Sequence, residues 1–282
     1  MLNERGTYES DLTVLRLTDE HYRMLIGTNH VKQDLHWLKQ HIKENERITL
    51  NNVSEEYAML ALMGPDTALI ANAIGVSQLN DLGYFQSLSV TIDGIDVYAT
   101  RISYVGEAGW EMICLKESAP ALYRIFNDKG AQPSGIFAQT SMRIEKKYLA
   151  IGHDLSSDLS PLEAGLEFAV HWDSDFIGRQ PLKERKDKGI KSSIILIVFE
   201  DPNAVPLGNE PVLVDGEIVG KTSSAAFGYR IGKAVAVAEL KLESISKLEG
   251  LEVEVNIAMK HFKGTVYTQS AFDPEGRVVR GL

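Results

Sequence analysis

The string YVGEAGWE, Tyr104 to Glu111, puts a tyrosine and a carboxylate at the two ends of a stretch that carries Gly106 and Gly109. If Tyr104 begins a loop and Glu111 re-enters a strand, a turn at the two glycines brings both side chains to one cavity. A carboxylate there accepts two parallel N–H donors as a bidentate pair, which orients a flat heterocycle as well as holding it. The plain alternative is a solvated hairpin acid, a description that suits Glu107 better. Downstream, the helical string SMRIEKKY offers Arg143 and Glu145. Two residues apart on a helix, they do not share a face. Arg143 suits either a buried ion pair or a ligand carboxylate, because its planar fork serves both. Glu145 suits the bracing of neighbouring loops.

Other reactive groups are sparse. His153 and His171 stand alone, with no His, Cys or acid at metal-ligand spacing, so no metal site is expected. The one cysteine, Cys114 in EMICL, reads as a small buried apolar residue. A disulfide framework is impossible, which fits a reducing compartment. There is no G-x-G-x-x-G string and no Walker-type loop, so no FAD or NAD site is expected within the chain. Trp110 and Trp172 read as core residues, although either ring has the surface to stack on an aromatic ligand. A formal net charge of −10 over 282 residues argues against nucleic acid or an anionic membrane as the main partner. With no signal peptide and no apolar run of about 18 residues, a cytoplasmic protein is expected.

These residues need elements to hold them. Asp11 to Leu17 alternates as a strand, and Val31, Leu35, Leu38 and Ile42 recur at helical spacing. Tyr57 to Met63 is a short apolar strand, broken by Gly64-Pro65-Asp66, which opens a helix. Ser87 to Leu115 reads as a meander with a hairpin at Asp93-Gly94. Helices are expected at 119–127 and 135–149. From Ser192 onward the chain is β-rich, with Gly and Asp-Gly turns at near-regular spacing, the pattern of a small antiparallel barrel or sandwich. The charged stretch PLKERKDKG, Pro181 to Gly189, reads as the boundary, giving domains 1–185 and 186–282.

In order and combination, YVGEAGWE and SMRIEKKYLAIGHDLSSDLSPLEAG, Ser141 to Gly165, resemble the folate-binding core of the glycine-cleavage T-protein family. That family comprises the tetrahydrofolate-dependent aminomethyltransferases and the C-terminal regions of dimethylglycine and sarcosine dehydrogenases. The opening NERGTYESDLTV resembles the family's loop in which an Asn precedes a Gly-Gly pair and an aspartate starts the next strand. Asn3, Gly6 and Asp11 match, while Thr7 replaces the second glycine and Ser10 an acid that often precedes the aspartate. Gln139 stands where the plain aminomethyltransferases usually carry an extra arginine. With RIEKKY and GHDL, this makes the chain resemble the dehydrogenase-associated branch more closely. GEIVGKTSSAAFGYRIGKAVAVAEL resembles the closing barrel, and FDPEGRVVRG the ends of that branch.

The resemblance implies an α+β fold: interleaved folate-binding lobes of the T-protein type, followed by a C-terminal antiparallel β-barrel. It implies an N-terminal truncation relative to the family, with the preceding stretch absent or supplied by another chain. Asp11 is implied as the catalytic group, positioning N5 of tetrahydrofolate and balancing iminium charge; the alternative is a strand acid facing water. Glu111 and Tyr104 are implied as pterin-holding residues, with Arg143 on the cofactor side. Arg230 is implied as an attractor of the glutamate tail, with a packing role equally open. In PLEAGLEF, Glu163 is the acid to follow, and Leu162, Leu166 and Phe168 read as core. The implied reaction moves a one-carbon unit from an amine donor to tetrahydrofolate, giving 5,10-methylene-tetrahydrofolate, as in glycine catabolism and one-carbon metabolism. The donor is either an aminomethyl group on a lipoyl carrier protein or an imine from a flavin-dependent dehydrogenase. Alternatives are a folate-binding subunit of a dimethylglycine or sarcosine dehydrogenase system, and a folate-binding protein without catalysis.

Overall fold

The computed structural model describes residues 1–242 and 247–281. In chain order it runs β1 (Leu12–Arg16), β2 (Tyr22–Ile26), α1 (Val31–Gln40), β3 (Tyr57–Met63), α2 (Thr67–Ala73), β4 (Ser87–Ile92), β5 (Ile95–Thr100) and β6 (Gly109–Leu115). There follow α3 (Ala119–Asp128), α4 (Ile136–Glu145) and α5 (Arg179–Lys188), then β7 (Ser192–Phe199), β8 (Pro211–Val214), β9 (Glu217–Gly228), β10 (Lys233–Lys241), β11 (Glu252–Ile257), β12 (Lys260–Tyr267) and α6 (Arg277–Arg280). The chain folds into two compact units, one of Met1–Glu44 with Ser141–Pro274 and one of Asn45–Thr140 with Glu275–Leu282.

In the first unit, β7 to β12 close into a six-stranded antiparallel barrel in the order β10-β7-β12-β11-β8-β9. Two of its strands explain their own composition. In β7, Ile195, Ile197 and Phe199 fill the barrel, while Ile194, Leu196 and Val198 pack into a second core on the outside. Both faces are buried, so the strand reads as a continuous apolar run instead of alternating. In β10, Ala234, Ala236 and Ala238 point inward and Val235 and Val237 outward. Small side chains inside and branched ones outside fit a barrel too narrow for large residues from every strand. The outer core takes in Tyr8, Ile144, Leu149, Leu155 and Leu159, which seats the segment after α4 against the barrel wall. The same unit holds the antiparallel pair β1–β2, with Leu12 opposite Ile26 and Arg16 opposite Tyr22.

The second unit is an antiparallel sheet in the order β3-β6-β5-β4. Leu62, Val90, Ile92, Val97, Ala99, Trp110, Met112 and Cys114 line one face, covered by Leu122 and Phe126 of α3 and Ile70 and Ala71 of α2. Strand alternation then sends Glu111, Ile113 and Thr100 to the opposite face.

Most expected elements are present, but three differ. The stretch read as a charged connector is helix α5: Leu182 is its one buried residue, so it shows almost no apolar stripe to the eye. The helix expected to reach residue 149 stops at Glu145, because Lys147 takes a left-handed backbone with φ 52°. Strand β2 gave no signal, because its side chains are half-buried or exposed and do not alternate.

Candidate active site

Asp11 opens onto a cavity of about 460 Å³ in the first unit. Its place is set by the loop before β1. Asn3 is buried, and its side-chain oxygen accepts from the Arg5 N–H at 3.0 Å and from the Thr7 hydroxyl at 3.0 Å. The loop turns at Gly6, φ +73°, where an added Cβ would lie 2.7 Å from the Leu182 nitrogen and 2.8 Å from the Gly178 oxygen. No other residue fits there. Thr7, standing where the family has a second glycine, is buried and keeps φ negative, so its hydroxyl closes the loop instead. Next to Asp11, the buried Ser10 hydroxyl donates to Asp34 on α1 at 2.5 Å, which ties the strand entry to the helix.

The cavity walls are mainly apolar: Leu12, Trp37, Pro161, Leu166, Val170 and Ile177, with Tyr8 and His171 among the polar contributors. Asp11 is exposed at the rim, yet protein encloses much of its surroundings. That desolvation pushes its carboxyl above the usual aspartate range. No hydrogen bond reaches the Asp11 carboxylate from any described residue. Tyr8 is buried, its phenol is pushed up by that burial, and its hydroxyl has no hydrogen-bond partner among the described residues. The sequence reading missed Tyr8, Asp34 and Trp37. For Asp34 and Trp37 a faint signal existed, three residues apart on one helical face of VKQDLHWLKQ.

Glu111 lies in the second unit, in the middle of β6, paired with Ala61 on β3 and Thr100 on β5. It is half-buried, and the burial pushes its carboxyl above the usual range. It too receives no hydrogen bond from any described residue. Tyr104 is half-buried in the loop between β5 and β6, as expected, and that loop turns at Gly106 with φ 74°.

Arg143 is buried in the first unit, where its guanidinium meets Asp154 at 2.6 Å, Ser224 at 2.6 Å and the Tyr148 carbonyl at 3.0 Å. Of its two alternatives, the buried ion pair is the one present. Asp154 also accepts from the Ala150 N–H at 3.0 Å and from Ser223 at 2.6 Å, so one saturated knot joins α4, the GHDL turn and β9. Glu145 braces as expected: its Oε1 accepts the Arg230 and Ile231 N–H groups at 2.8 and 3.2 Å. This holds the β9–β10 turn, where the Arg230 guanidinium lies 4.4 Å above the Phe272 ring.

In PLEAGLEF, Glu163 is buried. Burial alone would raise its carboxyl, but hydrogen bonds from Ser160 and Arg185 outweigh it and hold the group below the usual range. Leu162 is buried and Pro161 and Leu166 line the cavity. Phe168 is 85% exposed, a correction to its expected core role, because the short helical turn Glu167–Ala169 projects it outward. Trp110 and Cys114 are core residues, as read. No group of three or more metal-ligating side chains occurs among the described residues, and none of their helices is long and apolar enough to cross a membrane.

Comparison with known proteins agrees with this architecture. The GCVT N-terminal domain matches residues 1–174, and the glycine cleavage T-protein C-terminal barrel domain matches residues 193–273. The chain is 31% identical to human mitochondrial dimethylglycine dehydrogenase over 94% of its own length, and spans about a third of that relative, 32%. It is 32% identical to an aminomethyltransferase of Halalkalibacterium halodurans, covering 91% of this chain and 71% of that one. The fold also matches the crystal structure of glycine cleavage system aminomethyltransferase T from Bartonella henselae, with a TM-score of 0.86 at 24% identity over 97% of this chain and 75% of that one. Barrel, sheet and motif order thus converge on one conclusion: the chain belongs to the glycine-cleavage T-protein, or aminomethyltransferase, family.

Proposed function

We propose that this chain transfers a one-carbon unit from an amine-bearing donor to tetrahydrofolate, giving 5,10-methylene-tetrahydrofolate. One observation carries the reading. Asp11 and Glu111 are both held up by desolvation, and neither receives a hydrogen bond from any described residue. The buried carboxylates Asp34, Glu145, Asp154 and Glu163 each accept at least one hydrogen bond, with Asp34 Oδ1 and Glu145 Oε2 left without a partner among the described residues. Acids left desolvated and unsatisfied mark places where a ligand completes the structure.

These residues fit the ligand. Glu111 offers two acceptor oxygens from a half-buried position on the sheet, suited to the paired N–H donors of a pterin, with Tyr104 in the adjoining loop. Tetrahydrofolate supplies the two nitrogens that take up the one-carbon unit. Asp11 would orient the attacking nitrogen and offset positive charge on the carbon being transferred, whose bond to the donor amine breaks as that amine leaves. Arg230, on its braced turn, attracts the anionic glutamate tail. Arg143 contributes by locking α4 to the barrel wall. In this reading residues 1–185 form the folate-binding region and 186–282 the barrel domain.

The test is a calorimetric titration with tetrahydrofolate, alongside Glu111→Gln, followed by an assay of methylene transfer with Asp11→Asn. One-site binding that weakens in Glu111→Gln, and turnover lost in Asp11→Asn, support the proposal. Full turnover by Asp11→Asn sinks the catalytic role. A second reading makes the chain a folate-binding component of a dimethylglycine dehydrogenase-type system, and the 31% identity to the human enzyme favours it. Methylene transfer that depends on an added flavin-dependent amine dehydrogenase selects that reading. Dependence on a lipoyl carrier protein selects the glycine-cleavage donor.

A further inference from the structure

Behind the Glu111 face of the second unit lies a buried cation that the proposed chemistry does not use. Arg101 is 7% exposed and immediately follows Thr100, the β5 residue opposite Glu111. Thr100 and Glu111 point to the side of the sheet away from the helix-covered core. One residue further on, Arg101 and Trp110 meet on the other side, with the guanidinium carbon 5.4 Å from the centre of the Trp110 ring. Burial pushes the Arg101 guanidinium below its usual range, so its position carries a cost that the cation–π contact helps offset.

The same guanidinium reaches a distant part of the chain. Its Nη2 donates to the Arg280 carbonyl at 3.3 Å. That carbonyl belongs to a short segment folded tightly on itself. Val279 is buried, and the Arg280 side chain turns back to donate to the Gly276 carbonyl at 2.9 Å and to the Glu275 carbonyl. Gly281 follows with φ +73°, and a Cβ added there would stand 2.7 Å from Arg101 Nη2 and 3.9 Å from the Ala108 side chain. The segment therefore lies against both Arg101 and the loop that leads to Glu111. From the opposite direction, the Ala108 carbonyl accepts the Gly64 N–H at 2.9 Å and the Thr67 hydroxyl at 3.3 Å. The stretch from Tyr104 to Glu111 is thus held at both sides, once by the β3–α2 turn and once by Arg101 with the 275–281 segment.

We propose that Arg101 is a positioning residue for Glu111: it clamps the 275–281 segment to the back of the Tyr104–Glu111 stretch, and this clamp sets the ligand affinity of the Glu111 face. The proposal rests on the reading of Glu111 as the acid that holds the ligand. The clamp can loosen without unfolding the sheet, because the 275–281 segment contributes no strand to it.

The experiment combines tetrahydrofolate titration with hydrogen exchange on the full chain, for wild type, Arg101→Met and Gly281→Val. The second variant attacks the clamp from the segment side, so the test survives if Arg101→Met fails to fold. Each variant is expected to bind about tenfold more weakly, the scale of one lost charge-assisted hydrogen bond. Peptides covering 104–111 and 275–281 are expected to exchange faster together. In a Glu111→Gln background, Arg101→Met is expected to add almost nothing, because it acts through that carboxylate. A purely structural role would instead weaken both backgrounds equally. Wild-type affinity, with faster exchange confined to 275–281, overturns the proposal. If the wild type binds no tetrahydrofolate, the functional reading fails by itself, and joint or separate exchange of the two segments still decides whether the clamp exists.

Discussion

The knot around Asp154 and the rim around Asp11 lie in the same unit and treat a carboxylate in opposite ways. Asp154 is fully enclosed and receives hydrogen bonds from Arg143, Ala150 and Ser223. Asp11 is desolvated at a cavity mouth and receives none from the described residues. Glu163 belongs with Asp154, and Glu111, in the other unit, belongs with Asp11. The lesson is that burial alone does not tell a structural acid from a functional one. The supply of donors does, because a buried acid with partners stabilises the fold while one without them costs stability until a ligand arrives.

This contrast can be broken by mutation. Asp11→Asn should lower methylene transfer by about 10²- to 10⁴-fold, the range for removing a positioned acid–base or charge-stabilising group, and leave the melting temperature unchanged or raised. Steady-state turnover and thermal unfolding measured on the same preparation check it; a large fall in melting temperature would move Asp11 into the structural class. Asp154→Ala should do the reverse, costing about 3–5 kcal/mol of folding stability by leaving Arg143 buried and unpaired. Denaturant unfolding reads this directly, and a loss under about 1 kcal/mol would show that the knot does not carry the stability assigned to a buried pair. Glu111→Gln keeps the shape but loses the charge, and should weaken tetrahydrofolate binding by about tenfold to a hundredfold, the scale of a charged hydrogen-bond pair. Unchanged affinity would remove Glu111 from the ligand site.

The smallest effect sharpens the contrast through pH. Asp11 has its carboxyl raised in the folded state, so between the ordinary aspartate value of 3.8 and the raised one the folded protein holds a proton that the unfolded chain has released. Stability from this group therefore falls as pH rises through that window. Glu163 has its carboxyl depressed, so its contribution is complete above the ordinary glutamate value of 4.5 and is lost as pH falls through the depressed one. Melting curves across acidic pH should show that Asp11→Asn removes a downward slope and Glu163→Gln an upward one. The same sign would contradict the assignment of the two acids to different classes.

Much of the fold was legible beforehand because it rests on local rules. Tyr57–Met63 is a strand bounded by the breaker Gly64-Pro65, and Asp93-Gly94 takes the positive φ values that a tight hairpin needs. The β-rich tail is a closed barrel, as one of its two expected forms. The missed elements failed for identifiable reasons. Helix α5 buries one residue, so it carries almost no apolar stripe, and β2 gains its place by pairing with β1 rather than by composition. Residue type points Phe168 to the core, but a turn decides its direction.

The site divides the same way. Motif order, through the family resemblance it carries, pointed to Glu111, Tyr104 and Asp11, because a carboxylate two residues after Gly109 and an acid at a strand start are visible in one dimension. Whether a carboxylate is satisfied depends on donors brought from far along the chain. Arg143 finds Ser224 81 residues away, and Arg101 finds the Arg280 carbonyl 179 residues away. Sequence by itself determined the family, most of the strands and the candidate acids Asp11 and Glu111, since these follow from local pattern and motif order. Tertiary structure alone decided which acids are saturated, which remain open, and that a C-terminal segment supports the stretch leading to Glu111. Hydrogen bonding between residues so distant in the chain is fixed only when the whole core packs.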